Sequence, residues 1–271
     1  MFLMFVMCLS WLVLAVFAMA ISKLFTLYPS SVLPVNIEIA IAIIMGYAIY
    51  RKKINSFIPS VVALVTLYIF IYLGTIYKID LSNMGFSNPQ NTWIILLFFY
   101  SSVASLLPVW LLLQPRDYIN SHQLLVGLGL IYLAIFVYRP EIAAPAINLP
   151  SDGPPIIPFL FVTIACGAIS GFHGLVSSGT TSKQIDKAQD ARLIGYGSML
   201  GEGSLALAAI VASVCGIALV TDCTVNGVFH EQLSWGAYYS SWSNAAGNKF
   251  LSFVLGGSAL LTKIGLSMEL A

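Results

Sequence analysis

The sequence predicts an all-α, polytopic integral membrane helix bundle of about eight transmembrane helices, one of them discontinuous and glycine-rich. Three observations carry that prediction. Hydrophobic residues make up 59% of the 271 residues and charged residues only 8%, with a mean hydropathy of +0.90, where a soluble domain carries about 25% charged residues. Apolar runs of the roughly 20 residues that a spanning helix needs recur along the whole length, broken by charge or by Pro/Asn clusters. The charges nearly cancel, 12 Lys+Arg against 11 Asp+Glu, which leaves no basic surface for nucleic acid and no acidic tail for a basic partner.

In chain order the spans are expected at 2–21, 31–50, 54–77, 93–113, 122–138, 155–178, 193–220 and 249–266. The first is free of charge. The second holds one acid, Glu38. The third runs uninterrupted to Lys78, and the fourth follows the Asn88-Pro89 break and stops at the QPRDY sequence from Gln114 to Tyr118. The fifth ends at Arg139-Pro140, where a stretch rich in proline (Pro140, Pro145, Pro150, Pro154, Pro155, Pro158) reads as an external crossover into the sixth. The seventh begins after Arg192, and the eighth is short and rich in glycine. Loops that keep Lys and Arg stay cytoplasmic. One set of alternate loops holds Arg51, Lys52, Lys53, Arg116, Lys183, Lys187, Arg192 and Lys263, against Lys23, Lys78, Arg139 and Lys249 in the other, so the N-terminus is expected inside. The first span has neither a basic n-region nor a cleavage site and is read as retained. The four cysteines match no metal or disulfide framework. Residues 1–271 are read as a single transmembrane domain.

The sixth span abandons ordinary spanning composition in its second half. Gly167, Gly171, Gly174 and Gly179 alternate with Ser170, Ser177, Ser178, Thr180 and Thr181, and each glycine costs up to about 1 kcal/mol of helix propensity relative to alanine. Irregular backbone at membrane depth survives only where it lines a cavity or is buried in protein, as at the broken helices of transporters. Close helix packing through the GxxxG of Gly167 and Gly171 is the competing explanation. His173 interrupts the stretch, and an intramembrane ionisable group is a functional-site hypothesis by default. Glu202 is its expected partner: His173 precedes Lys183 by as many residues as Glu202 follows Arg192, so a hairpin would place both about 15 Å deep. Glu202 is in line with Gly195, Ser198 and Ala206, a small-residue stripe expected to face protein or water. His173, Glu202 and Glu38 form the proton-coupling candidates. Glu38 shares a face with Pro34, Ala42 and Gly46, where a structural or gating role is the alternative, and Pro34 with Asn36 is expected to loosen the first turn. Arg116 and Asp117 are read as an interfacial salt bridge or lipid-phosphate contact. In the loop from Thr221 to Asn248, Asp222, Cys223, His230 and Glu231 match no standard metal spacing, and the aromatic cluster from Trp235 to Trp242 reads as an interfacial belt or re-entrant segment. No nucleophile, dinucleotide or Walker motif is present, so an enzyme is not expected.

Three stretches, PFLFVTIACGAISGFHGLVSSGTTSKQ from Pro158 to Gln184, LPVWLLLQPRDYINS from Leu107 to Ser121, and RLIGYGSMLGEGSLALAAIVA from Arg192 to Ala212, together resemble the carbon starvation protein A family. The resemblance implies a secondary transporter of the amino acid/polyamine/organocation superfamily in a bacterial or archaeal plasma (inner) membrane, taking up peptides or pyruvate under nutrient limitation. Family members are considerably longer, so the chain is expected to be a truncated or internal portion. On this reading the substrate is a peptide or small carboxylate, bound at Ser170, Gly171, His173, Gly174, Ser177, Ser178, Thr180 and Thr181, with a coupling proton or sodium ion, lipid as solvent and no cofactor. The alternative is a non-transporting module, a sensor or assembly subunit, whose glycines and buried charges serve packing alone.

Overall fold

A computed structural model describes residues 1–271 apart from 56, 149–151, 169–173, 175–176, 180, 226, 248 and 268–271. The chain forms two compact units, essentially Met1–Gly129 and Leu130–Leu266.

In the first unit α1 (Phe2–Leu27), a 3-10 turn at Pro29–Ser31, α2 (Val32–Lys52), α3 (Phe57–Ile76) and α4 (Pro89–Leu106) precede the first half of α5 (Leu113–Tyr138). Helix α1 packs on α4 and α2 on α3. Ala42, Met45, Ala63, Leu67, Leu112 and Ile119 form one core, and Phe25, Val32, Leu81 and Trp93 a second, where Phe25 and Trp93 meet edge-on at 5.1 Å. The helices stay apolar on their outer faces too, with Leu3 75% and Trp11 64% exposed, the all-round pattern of a helix whose solvent is hydrocarbon. Helix α2 closes with Arg51 and Lys52 in its last turn and Lys53 in the left-handed region, where cations suit the negative end of the dipole. Pro34 lies within the first helical turn, where its missing N–H costs no bond, and the Asn36 amide donates to the Val32 carbonyl at 2.8 Å; the expected loosening is absent.

Between α4 and α5 the chain leaves the helix at Leu107, which is extended (φ −80, ψ 147) because Pro108 follows it. The Leu107–Leu112 segment does not stay outside. The Leu111 and Trp110 carbonyls and Pro115 press against Gly46, where a side chain would collide with the Leu111 oxygen. Helix α5 therefore begins at Leu113, not at the expected residue 122; Arg116 belongs to its first turn, and Asp117 follows it. Pro115 is compatible with that start, since first-turn positions need no N–H partner.

The second unit continues with α6 (Ile156–Ala168), a 3-10 turn at Thr181–Lys183, α7 (Asp190–Val214) and a further 3-10 turn at Gly216–Leu219. A hairpin of β1 (Thr221–Val225) and β2 (Val228–Gln232) follows, then α8 (Trp235–Tyr238), α9 (Trp242–Gly247) and α10 (Lys249–Thr262). The turn at Gly216 ends the seventh helix before residue 220. Ile217, Val220, Val225, Leu233, Tyr238 and Ala259 make its core, so the aromatic cluster is not uniformly interfacial: Tyr238 is fully buried and serves as a packing residue. The Ser234 hydroxyl caps α8 by accepting from the Ala237 N–H at 3.1 Å. The crossover is anchored at both ends, by the Ala143 N–H donating to the Val214 carbonyl at 3.2 Å and the Trp242 N–H to Asp152 at 2.8 Å. Tyr132 joins α5 to α7 by donating to the Ser204 carbonyl at 2.7 Å.

Among the described residues five helical segments are long and apolar enough to cross a membrane: Leu3–Leu27, Pro29–Lys52, Phe57–Ile76, Leu113–Tyr138 and Asp190–Val214. The other expected spans fall on α4, on α6 and on α10, of 18, 13 and 14 described residues. The molecule is an all-α, multi-pass membrane protein, and its hairpin is the departure from the expected loop. The hairpin pairs Cys223 with His230 and Val225 with Val228. The sequence between the strands, Asn-Gly, is the strongest short-range hairpin signal, and Gly227 takes a φ of +80.

Two outcomes follow from these contacts. Gly256 on α10 lies so close to α7 that a Cβ would land on the Ala212 carbonyl, whereas Gly257 faces open space. Gly256→Ala should lower thermal stability in detergent by about 2 kcal/mol through overpacking, and Gly257→Ala should raise it by a few tenths up to about 1 kcal/mol through helix propensity; equal effects would refute the contact. On β1, burial pushes the Cys223 thiol above its ordinary range and Asp222 adds to the rise. Less thiolate is present at neutral pH, so alkylation of Cys223 should be slow and climb with pH beyond the point where an ordinary thiol has levelled off. Asp222→Asn should move that profile to lower pH, and asparagine tolerates the φ of +49 found there.

Candidate functional site

Helix α2 turns one face inward. Val32, Pro34, Glu38, Ala42, Met45 and Gly46 are buried along it, the face expected for Glu38. At 6% exposure Glu38 is among the few buried polar residues described, and its carboxylate meets Arg116 of α5. The Arg116 Nε lies 3.6 Å from Glu38 Oε1, beyond hydrogen-bond length; neither of these buried atoms has a hydrogen-bond partner. Arg116 Nη1 donates to the Tyr100 hydroxyl at 3.2 Å, and the guanidinium carbon is 6.0 Å from the Tyr100 ring centre. Asn120, one turn on from Arg116, also addresses the carboxylate. One ion pair thus ties α2, α4 and α5.

That placement corrects the reading of Arg116 as an interfacial cation. Glu38 stands six residues into α2, about 9 Å along its axis, and Arg116 enters the bundle because the Leu107–Leu112 segment folds in against Gly46. Tyr100 and Asn120 beside this pair are residues that sequence reasoning does not single out, and Arg116 reads there with Asp117 as an interfacial salt bridge or lipid contact. The signal was present: Pro115 read as a stop, but proline in a first turn marks a start, and on a helix begun there Arg116 and Asn120 share a face at i, i+4.

The glycine-rich stretch is described only in part. Ser170, Gly171, His173 and Thr180 lie outside the described residues, and with them the expected helix break and the His173–Glu202 pairing. Gly174 and residues 177–179 are helical and the chain tightens to 3-10 at Thr181–Lys183. The Ser177 hydroxyl donates to the Gly174 carbonyl at 3.1 Å and the Ser182 hydroxyl to the Ser178 carbonyl at 2.8 Å. Ser177 and Ser178 are exposed and Thr181 half-buried. Hydroxyls that return their proton to their own backbone keep lone pairs and weaken the helix slightly.

Glu202 lies midway along α7 and is exposed, as are Gly195, Ser198 and Ala206 in line with it. A Cβ at Gly195, Gly197, Gly201 or Gly203 would meet nothing within 4 Å. The expected stripe of small residues exists, and it presents an open face on which the acid stands without a described neighbour. The two acids thus differ physically: Glu38 is buried and paired, Glu202 accessible. A proton can be exchanged at an accessible carboxylate without first breaking an ion pair.

Known proteins match this chain along most of its length. It is 39% identical over 206 residues, 72% of the chain, to a protein named Peptide transporter CstA of Helicobacter pylori. It is 39% identical over 218 residues, 74% of the chain, to one named Pyruvate/proton symporter BtsT of Escherichia coli, and 35% identical over 211 residues, again 74%, to Peptide transporter CstA of Mycobacterium tuberculosis. The chain spans 28–30% of the length of these relatives. No solved structure matches it. The family model of carbon starvation protein CstA matches residues 1–245, a range that takes in the ion pair, the glycine-rich stretch and Glu202 alike, and the chain belongs to that family.

Proposed function

We infer that the chain is membrane-embedded machinery of a secondary transporter that takes up peptides or small carboxylates such as pyruvate, coupled to protons, across a bacterial or archaeal plasma membrane under nutrient limitation. The observation that carries this reading is the 39% identity to proteins named as a peptide transporter and as a pyruvate/proton symporter. The process is translocation, with no catalytic step. Glu202 is the proton carrier, supported by its accessibility on a spanning helix of small residues, and His173 is its partner. The substrate's anionic group is received along Ser170, Gly171, Gly174, Ser177, Ser178, Thr180 and Thr181, where hydroxyls and the freed N–H groups of a tightened turn are the available donors. Glu38 acts with Arg116 as a structural clamp.

Substrate-stimulated proton flux in proteoliposomes, with pyruvate and a dipeptide, tests the reading on this chain and on a full-length relative. Glu202→Gln should abolish uptake driven by a pH gradient while leaving substrate exchange. Gradient-driven uptake that survives would remove Glu202 from coupling, and flux that follows a sodium gradient instead would replace the proton. Glu38→Gln tests the clamp: alone it should destabilise the fold by about 2 kcal/mol, less than the roughly 3–5 of a fully buried pair because the Arg116 side chain is 31% exposed. Glu38→Gln with Arg116→Gln should recover most of that loss in thermal melting, an outcome that a proton-carrying Glu38 would not produce.

A further inference from the structure

Helices α1, α2 and α4 of the first unit, with the start of α5, form a half-open cleft of about 250 Å³. Its body is apolar, walled by Phe17, Phe25, Ile39, Trp93 and Leu97, and its polar groups are Asn36, Tyr100, Ser101 and Arg116. Glu38 is absent from the wall, so the cavity meets the guanidinium but not the carboxylate that balances it. Of the five N–H donors of the guanidinium, the hydrogen bond to Tyr100 uses one, on Nη1. Tyr100 accepts that bond and keeps its own O–H to donate. An apolar pocket with a few converging donors at one end is the usual form of a small-molecule site, and with no acidic wall residue the charge it complements is negative.

We propose that this cavity binds a small, water-soluble monocarboxylate with an aromatic or branched apolar body. The carboxylate is received by Arg116 with the Tyr100 and Ser101 hydroxyls, and the body sits against Phe25 and Trp93. The site shares no residue with the glycine-rich stretch and does not rest on the transport reading. Charge-assisted bonds to a guanidinium in a low-dielectric wall are about twice as strong as neutral ones, so the site distinguishes an acid from its amide. Arg116 already faces Glu38, and the incoming anion shares that charge. Removing the Glu38 charge must therefore tighten binding, and removing both charges must erase the preference for the acid.

Calorimetric titration of the full chain in nanodiscs with phenylacetate and phenylacetamide tests this. The wild type should bind phenylacetate about tenfold or more tightly than the amide. Glu38→Gln should tighten phenylacetate binding, Glu38→Gln with Arg116→Gln should bind acid and amide alike, and Leu97→Trp, which fills the cavity without changing a charge, should bind neither. Equal wild-type affinities for acid and amide, or no binding of either, would overturn the proposal, as would an unchanged preference in the paired variant. If Glu38→Gln alone fails to fold, the paired and Leu97→Trp variants still decide it.

Discussion

The charge on Arg116 cannot be left in hydrocarbon, and the first unit is arranged around that constraint. Burying one partner of an ion pair alone costs several kcal/mol, so Glu38 and Arg116 must arrive together although 77 residues separate them along the chain. Their meeting depends on a backbone contact some way off. Only because Gly46 lacks a side chain can the Leu111 carbonyl and Pro115 come against α2, and only then does the first turn of α5 carry Arg116 inward. Pro108 sets the same approach from the other side, by ending α4 at an extended Leu107. A glycine, a proline and an ion pair, each explicable alone, are one device for re-entering the bundle.

The second unit solves a related problem with no charge at all. Lipid tails are as apolar as leucine, so helices in a membrane associate through close approach and interhelical hydrogen bonds. Gly216 and Gly256 let α10 and the Gly216–Leu219 turn come against each other, and the Tyr132 hydroxyl spends its proton on a backbone carbonyl of α7. In the β hairpin the rule changes. The hairpin is held by cross-strand pairing and by burial of Val225 beside Leu233 and Tyr238, as in any water-soluble small sheet.

Most of the helical layout was legible in the sequence, because a run of about 20 apolar residues has few other fates. The inward face of α2 was legible as well: Glu38, Pro34, Ala42 and Gly46 recur at helical spacing and are all buried. What failed was the assignment of charge to loops. Arg116 looked interfacial because charge is expensive in lipid, yet a buried partner offsets part of that expense, and a partner 78 positions away leaves no local trace; Asp117 stays exposed. The hairpin failed for the opposite reason. An Asn-Gly pair between two short β-prone runs marks it, but in a sequence dominated by helical runs the aromatic residues beside it read as an interfacial belt, and Tyr238 is a core residue.

Glu202 and Glu38 show why the same residue type serves two purposes in one chain. Placing an unpaired charge at the centre of a span costs on the order of 3 kcal/mol, and on α7 the acid stands on a face of glycine, serine and alanine with no cation beside it among the described residues. A side chain chosen only for packing would be small there, like its neighbours. The acid on that face fits the exchange role proposed for it, and the surrounding glycines leave room beside it among the described residues. Helix α2 makes the contrary choice: its acid is buried, faced by arginine and enclosed by alanine and methionine, so releasing it would open the bundle. On the proposed reading, mobility of the proton and rigidity of the fold fall to different carboxylates, one exposed on α7 and one buried against Arg116.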